Sequence, residues 1–252
     1  MTFNPTRCKS AVKAMGAHFG ASTVVALAVA ALVFGIWFPH PYRQLAGGTE
    51  LFFLVMGVDL VCGPLLTLVL YNPAKPKREL FTDLGLVVLV QLAALAYGMW
   101  SVHEAKPLYL VHEVDRFKVI AYADVDIVEL NKLPEILRPQ FFRGPQPLSL
   151  RDANKEEREK VMFESVQGGR DYGERPEFYV AYDGVKAYAK ARPVSDFVKK
   201  YPARQVDLNQ LPGNTAQTAA PWRYLPVSAR QDWVAVLNAK GEIVGYLQGD
   251  GF

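Results

Sequence analysis

Apolar and polar positions are divided sharply along the chain. Three long apolar runs, His18–Phe38, Leu51–Tyr71 and Phe81–Val102, lie before about residue 102. Each reaches the roughly 20 residues needed to cross a ~30 Å hydrocarbon layer, which predicts three transmembrane helices. The third run is interrupted only by Asp83 at its start and Gln91 at its centre. Beyond residue 103 no run of that length recurs, and short alternating stretches take over. Tyr109–Val114 and Phe117–Tyr122 flank Asp115-Arg116 and read as a β-hairpin. Phe178–Tyr182 and Val185–Ala189 flank Asp183-Gly184, a two-residue turn signal that predicts a second hairpin. Trp233–Leu237 and Ile243–Leu247 flank a turn with Lys240-Gly241 and predict a third. Arg151–Gln167 reads as a helix with Ser149 and Asp152 at its start and Gly168-Gly169 at its end. A short helix is expected at Val194–Tyr201 and a long surface loop at residues 202–221. The expected architecture is a membrane α-helical part, 18–102, preceded by a cytoplasmic segment, 1–17. A C-terminal α+β extracytoplasmic domain with an antiparallel sheet follows over 103–252.

Polar residues inside the spans carry the first functional signal. In the second span Asp59, Gly63 and Thr67 fall at i, i+4 and i+8 and share one helix face. In the third, Asp83, Val87, Gln91, Ala94 and Gly98 form a similar stripe, and the first offers His18, Ser22, Ala26 and Ala30. Small residues and interhelical hydrogen bonds, not hydrophobicity, hold helices together in lipid, so these stripes are expected to face inward. At ~1.5 Å per residue, Asp59 and Gln91 differ in depth by only about 3 Å, and their approach is predicted. Pro64 removes one backbone donor and leaves the Leu60 carbonyl without its usual partner, so a kink is expected there. A carboxylate in hydrocarbon is a functional candidate by default; the plainer reading of Asp59 is interhelical glue. Asp59, Gly63, Pro64, Thr67 and Gln91 are therefore the candidates for docking a membrane partner.

Charge sets the topology. Arg7, Lys9 and Lys13 precede the first span, and Lys75, Lys77 and Arg78 crowd the second loop, against Arg43 alone in the first. The positive-inside rule predicts a cytoplasmic N-terminus and a C-terminal domain on the far side, periplasmic in a Gram-negative cell. Before residue 103 the only acids are Glu50, Asp59, Glu79 and Asp83, so the net charge of +3 resides there. The neutral remainder argues against a nucleic-acid surface. Ala28-Val29-Ala30 resembles a cleavage site, but the apolar run continues to Phe38, beyond the 7–15 residues typical of a signal h-region, so an uncleaved anchor is expected. Cys8 and Cys62 should lie at different depths and are not expected to pair.

The C-terminal part shows no H-E-x-x-H, G-x-S-x-G, G-x-x-x-x-G-K-[ST] or C-x-x-C, so no catalytic residue, cofactor or enzymatic activity is expected. His103-Glu104 and His112-Glu113 are adjacent pairs, a poor geometry for shared metal binding on a strand. Asp124 and Asp126 would share a strand face near Glu129, but no full ligand set is visible and no metal is expected. Of the aromatics Tyr179, Tyr182, Tyr188, Trp222, Tyr224 and Trp233, about two-thirds are expected in the core, given the apolar area such rings bury; Tyr179, Tyr182, Trp222 and Trp233 are the candidates for a protein-binding surface, where Tyr and Trp are enriched.

The runs QLAGGTELFFLVMGVDLVCGPLLTLVLYNP, ELFTDLGLVVLVQLAALAYGMW and LYLVHEVDRFKV resemble the TfpX/TfpZ family of type IV pilin accessory proteins. The resemblance extends over the whole chain and is densest from Gln44 to Val119; the ending DWVAVLNAKGEIVGYL fits it too. It implies a bacterial inner-membrane protein that assists type IV pilus biogenesis. The implied partner is a cognate type IV major pilin, with other pilus assembly-platform proteins as further candidates beside the lipid bilayer. It transfers no catalytic residues. The rival expectation is a small ion-coupled transport or energising subunit with Asp59 as proton site, for which three helices are few.

Overall fold

The computed structural model describes residues 5–213 and 222–252. It divides into two compact units. One holds the residues up to Trp37 together with Gly48–Glu104; the other holds Phe38–Gly47 and Ala105–Phe252.

The first unit is helical. Helix α1 spans Pro5–Leu32 and continues as a π-helical turn, Val33–Trp37. After the short helix α2 (Tyr42–Leu45), which belongs to the other unit, come α3 (Gly48–Leu70) and α4 (Lys77–Glu104). The three long helices are each long and apolar enough to cross a membrane. Their outer faces carry large apolar side chains in contact with solvent volume, among them Leu54, Val69, Phe81 and Leu89. Such faces suit lipid, because a membrane helix meets hydrocarbon outside and its partners inside. Helix α3 packs against both α1 and α4. It runs without a break through Pro64. At Gly98 of α4 an added Cβ would stand 2.5 Å from Val55 Cγ1, so glycine there sets the approach of α3 and α4.

The second unit is built on an eight-stranded sheet. Its strands are β1 (Pro107–Glu113), β2 (Arg116–Ala121), β3 (Gln146–Leu150), β4 (Tyr179–Ala181), β5 (Arg192–Pro193), β6 (Arg223–Ser228), β7 (Trp233–Leu237) and β8 (Ile243–Gln248). The order is β4-β3-β1-β2-β6-β7-β8, with β5 also pairing β6. The first and third expected hairpins form as antiparallel pairs β1–β2 and β7–β8. The sheet is mixed, because β1 and β3 pair in parallel and so do β2 and β6. Local hairpins carry their own antiparallel register, whereas those two pairings join segments distant in the chain.

Period-two alternation divides the core between the sheet's faces. On β7, Trp233, Ala235 and Leu237 enter one cluster with Leu110, Phe117 and Leu225. Val234 and Val236 enter another with Phe197 and Leu208. A third cluster joins Tyr109, Val111, Ile120 and Leu148 to Leu130 and Leu133. The helices that cover the faces are α5 (Ile127–Lys132), α6 (Lys155–Val166), α7 (Gly184–Lys190), α8 (Val194–Lys200) and α9 (Arg204–Asn209).

Several expectations are corrected. The second hairpin does not form: Val185–Ala189 lies in helix α7, because the Asp183 carboxylate accepts a hydrogen bond from the Lys186 N–H and caps it. Buried Ala187 then seats the helix in the core. The N-cap of α6 is Asn154 rather than Ser149 or Asp152, with a reciprocal bond to Glu157. Its C-terminal end at Gly168, φ +85°, is as read, since glycine adopts that left-handed geometry without a Cβ clash. Asp124 and Asp126 do not sit on a strand; they cap a 3₁₀ turn and α5 through the N–H groups of Ala121 and Val128. Within the expected loop 202–221, Arg204–Asn209 is helical and buries Leu208; residues 214–221 lie outside the described residues.

The segment between the first two long helices was expected as a plain loop. Instead Tyr42 and Leu45 are core residues of the second unit, beside Leu110, Phe117, Leu225 and Leu237. The Tyr42 and Tyr246 hydroxyls lie 3.0 Å apart, and the Gln231 N–H donates to the Leu45 carbonyl at 3.2 Å.

Candidate functional site

The membrane candidates fall on the inner faces of the helices. Gly63, Pro64 and Thr67 of α3 are buried. The Thr67 hydroxyl lies 2.5 Å from His18 Nδ1 of α1 and ties those helices together. Toward α4, the Gln91 Nε2 donates to the Asp59 backbone carbonyl at 3.1 Å. A Cβ on Gly63 would run into the Gln91 amide, so the glycine is what lets Gln91 reach across. Asp59 and Gln91 thus meet, but through the Asp59 main chain and not its carboxyl. In the third stripe Ala94 is exposed, and the inward series is Val87, Gln91, Leu95, Gly98 and Val102. Asp83 leaves the stripe for an ion pair with Lys75, 2.6 Å, at the loop between α3 and α4.

Beside this seam lies a cavity of about 330 Å³, lined from all three helices. Its walls are largely apolar, from Ala21, Ala26, Met56 and Leu95. The polar groups that reach it are His18 and Ser22 of α1, Asp59 of α3 and Gln91 of α4. Among the described residues no side chain pairs with the Asp59 carboxyl, and Gln91 Oε1 is buried without a hydrogen-bond partner. A buried amide oxygen and a carboxylate left unsatisfied are costly in a medium without water. The cavity is therefore a place where an additional donor would be stabilised. His18 was read in the sequence only as part of a stripe; its spacing of four from Ser22 is the signal that places it here.

Of the four aromatic candidates of the C-terminal unit, Tyr179, Trp222 and Trp233 are buried, and Tyr182 is partly buried against the core. Tyr179 is buried and its hydroxyl donates to the Gly173 carbonyl at 2.8 Å. Tyr182 packs against the main cluster and donates to Gly241 at 2.7 Å. Trp222 and Trp233 are buried in the clusters that flank β6 and β7. Rings of this size bury large apolar areas, and in a domain without disulfides they serve as core.

What this unit offers instead is a second, larger pocket, about 920 Å³, between the ends of β1 and β3 and the helices α6 and α7. Leu150, Ala153, Val161 and Met162 give it an apolar wall, and Lys186 and Lys190 stand at its edge. His112 lies at its floor with Nε2 buried and unpartnered among the described residues. Burial lowers the ring's pKa from the ordinary histidine value. Burial likewise raises the Glu113 carboxyl. Next to Met162, the side chains of Phe163 and Val166 leave an apolar strip exposed along α6. No strongly apolar run marks this strip in the sequence, because it interrupts a highly charged helix.

Among the described residues no group of three or more His, Cys, Asp or Glu side chains is placed to hold a metal ion. Cys8 and Cys62 are free thiols on exposed faces.

A sequence model of the family described as Fimbrial assembly protein FimB matches residues 6–47, which comprise most of α1 and the Tyr42–Leu45 segment. The fimbrial assembly protein of serogroup E1 from Dichelobacter nodosus is 33% identical over 255 residues, covering 99% of each chain. The serogroup I protein of the same organism is 33% identical over the same span and share. That of serogroups C1 and C2 is 40% identical over 127 residues, 50% of this chain and 97% of the relative. No solved structure matches. Similarity that runs from end to end, through the membrane helices and the mixed-sheet domain alike, shows that the chain belongs to the FimB family of fimbrial assembly proteins.

Proposed function

We propose that the protein is an inner-membrane accessory factor for type IV pilus biogenesis that holds a cognate major pilin before or during its entry into the fibre. In this reading the N-terminus is cytoplasmic, and the C-terminal domain lies in the periplasm. The single observation that carries it is that Asp59 lines an interhelical cavity while, among the described residues, no side chain pairs with its carboxyl. A pilin waits in the same bilayer by an apolar N-terminal helix, with its head in the periplasm. The cavity receives that helix. Asp59 pairs with the ammonium exposed at its end after processing, which offsets the cost of a lone carboxylate in hydrocarbon. The pocket beside α6 and the apolar strip of Met162, Phe163 and Val166 along that helix read the pilin head. The fimbrial assembly names of the full-length relatives support a pilus client over a small-molecule substrate.

The test is Asp59→Leu at native expression, with site-specific crosslinking to the pilin helix and a count of surface pili. Loss of the crosslink, with the protein still folded and inserted, is the expected result. Crosslinking and piliation at wild-type levels would reject the docking role. Proton-dependent flux in liposomes, lost in the same variant, would point to the ion-coupled rival.

A further inference from the structure

The long connection between β2 and β3, residues 122–145, carries Ile127, Val128, Ile136, Phe141 and Phe142 as exposed side chains. These are five of the twelve large apolar side chains that the described residues of the C-terminal unit leave exposed. Phe142 is 80% exposed, and its ring meets that of Phe141 edge-on, centroids 4.9 Å apart. A surface segment that exposes so much apolar area in water has a second environment to explain it.

Three contacts locate the connection along the chain. The Tyr122 N–H donates to the Lys106 carbonyl at 2.9 Å, and the Tyr109 hydroxyl donates to the Leu137 carbonyl at 2.8 Å. Gly144 lies so close to Pro39 that an added Cβ would stand 2.8 Å from its Cγ. Lys106 is two residues beyond the end of α4, and Pro39 two beyond Trp37. At ~3.3–3.6 Å per extended residue, both anchor points lie within roughly 7 Å of the end of a membrane helix. Those helix ends carry an interfacial belt of aromatics, Trp37 on the first and the paired Tyr97 and Trp100 on the third. Charge agrees with the location. Residues 136–143 hold Arg138 and Arg143 and no acid.

We propose that residues 136–143 are a lipid-contacting foot: Phe141 and Phe142 enter the interfacial layer of the bilayer surface from which the first and third helices emerge, and Arg138 and Arg143 meet anionic headgroups. Aromatic rings flanked by arginine are the residue types this layer favours. The role goes beyond the pilin-docking reading and does not depend on it.

The experiment uses the full chain with Cys8→Ser and Cys62→Ala, and no pilin. A single cysteine replaces Phe142, or Val166 as the control, and carries an environment-sensitive fluorophore. The protein is placed in phosphatidylethanolamine–phosphatidylglycerol vesicles. The label at 142 is expected to be quenched by nitroxide-bearing lipid and to be several-fold less accessible to iodide than the label at 166. Equal iodide access at the two positions would overturn the proposal. So would a label shielded from iodide yet untouched by lipid nitroxide, which would assign the patch to a second copy of the chain. Labelling at Phe141 repeats the reading should the Phe142 variant fail to fold.

Discussion

Leu45 sits in a ten-residue segment between two membrane helices, yet it is fully shielded from solvent among Leu110, Phe117, Leu225 and Leu237. Leu45→Ala removes three carbons at about 0.8 kcal/mol each, roughly 2.4 kcal/mol of transfer free energy. The residual cavity brings the expected loss to about 3 kcal/mol, within the ~2–5 kcal/mol range of such substitutions. With a urea dependence of about 2 kcal/mol/M, the unfolding midpoint falls by about 1.5 M. The assay is urea unfolding of the full-length protein in nanodiscs, read by proteolytic susceptibility of the C-terminal unit. Gln44→Ala, at an exposed neighbour, serves as control and is expected to change stability by less than about 0.5 kcal/mol. A midpoint for Leu45→Ala equal to that of the control would refute the claim that the interhelical segment is part of the domain's core.

Two further outcomes follow from packing and from charge. Gly98→Leu forces a side chain into Val55 and is expected to destabilise the helical unit by about 1–3 kcal/mol in mild detergent, while Phe81→Leu on the exposed face of the same helix is neutral. An unchanged melting temperature would mean that α3 and α4 do not meet there. At the start of α6, the Arg151 guanidinium and then the Asn154 N–H pull the Glu157 carboxyl down to about 2. Its folded pKa is below its ordinary value of 4.5, so its stabilising contribution is present above that value and lost as pH falls toward about 2. The melting difference between wild type and Glu157→Gln should therefore be constant near neutrality, shrink below pH ~4.5 and vanish near pH ~2; a difference independent of pH would contradict the ion pair.

Asp59 shows how far a one-dimensional reading of the site reaches. Helical spacing placed it on a face with Gly63 and Thr67, and depth alone brought Gln91 to its level. Which atom of Asp59 the amide contacts depends on the rotation of two helices, and it is the carbonyl. Tyr179, Tyr182, Trp222 and Trp233 show the opposite case. Their composition suits an interface or a core alike, and segments from distant parts of the chain bury Tyr179, Trp222 and Trp233 and partly cover Tyr182. The Asp183-Gly184 pair is a turn signal in isolation. In the fold the same aspartate caps a helix by accepting from the Lys186 N–H, and a Cβ on Gly184 would stand 2.9 Å from the Lys240 and Gly241 carbonyl oxygens.

By itself the sequence determined that three helices cross a membrane, that a mixed α and β domain follows them, and where two of the hairpins lie. These are consequences of local periodicity and length, which every apolar run carries within itself. Only the tertiary structure decided that residues 38–47 belong to the C-terminal core, that two strand pairings are parallel, and that Asp59 lines a cavity. Each of those depends on contacts between segments far apart in the chain, where a short stretch of polar and apolar residues has many compatible partners and burial selects among them.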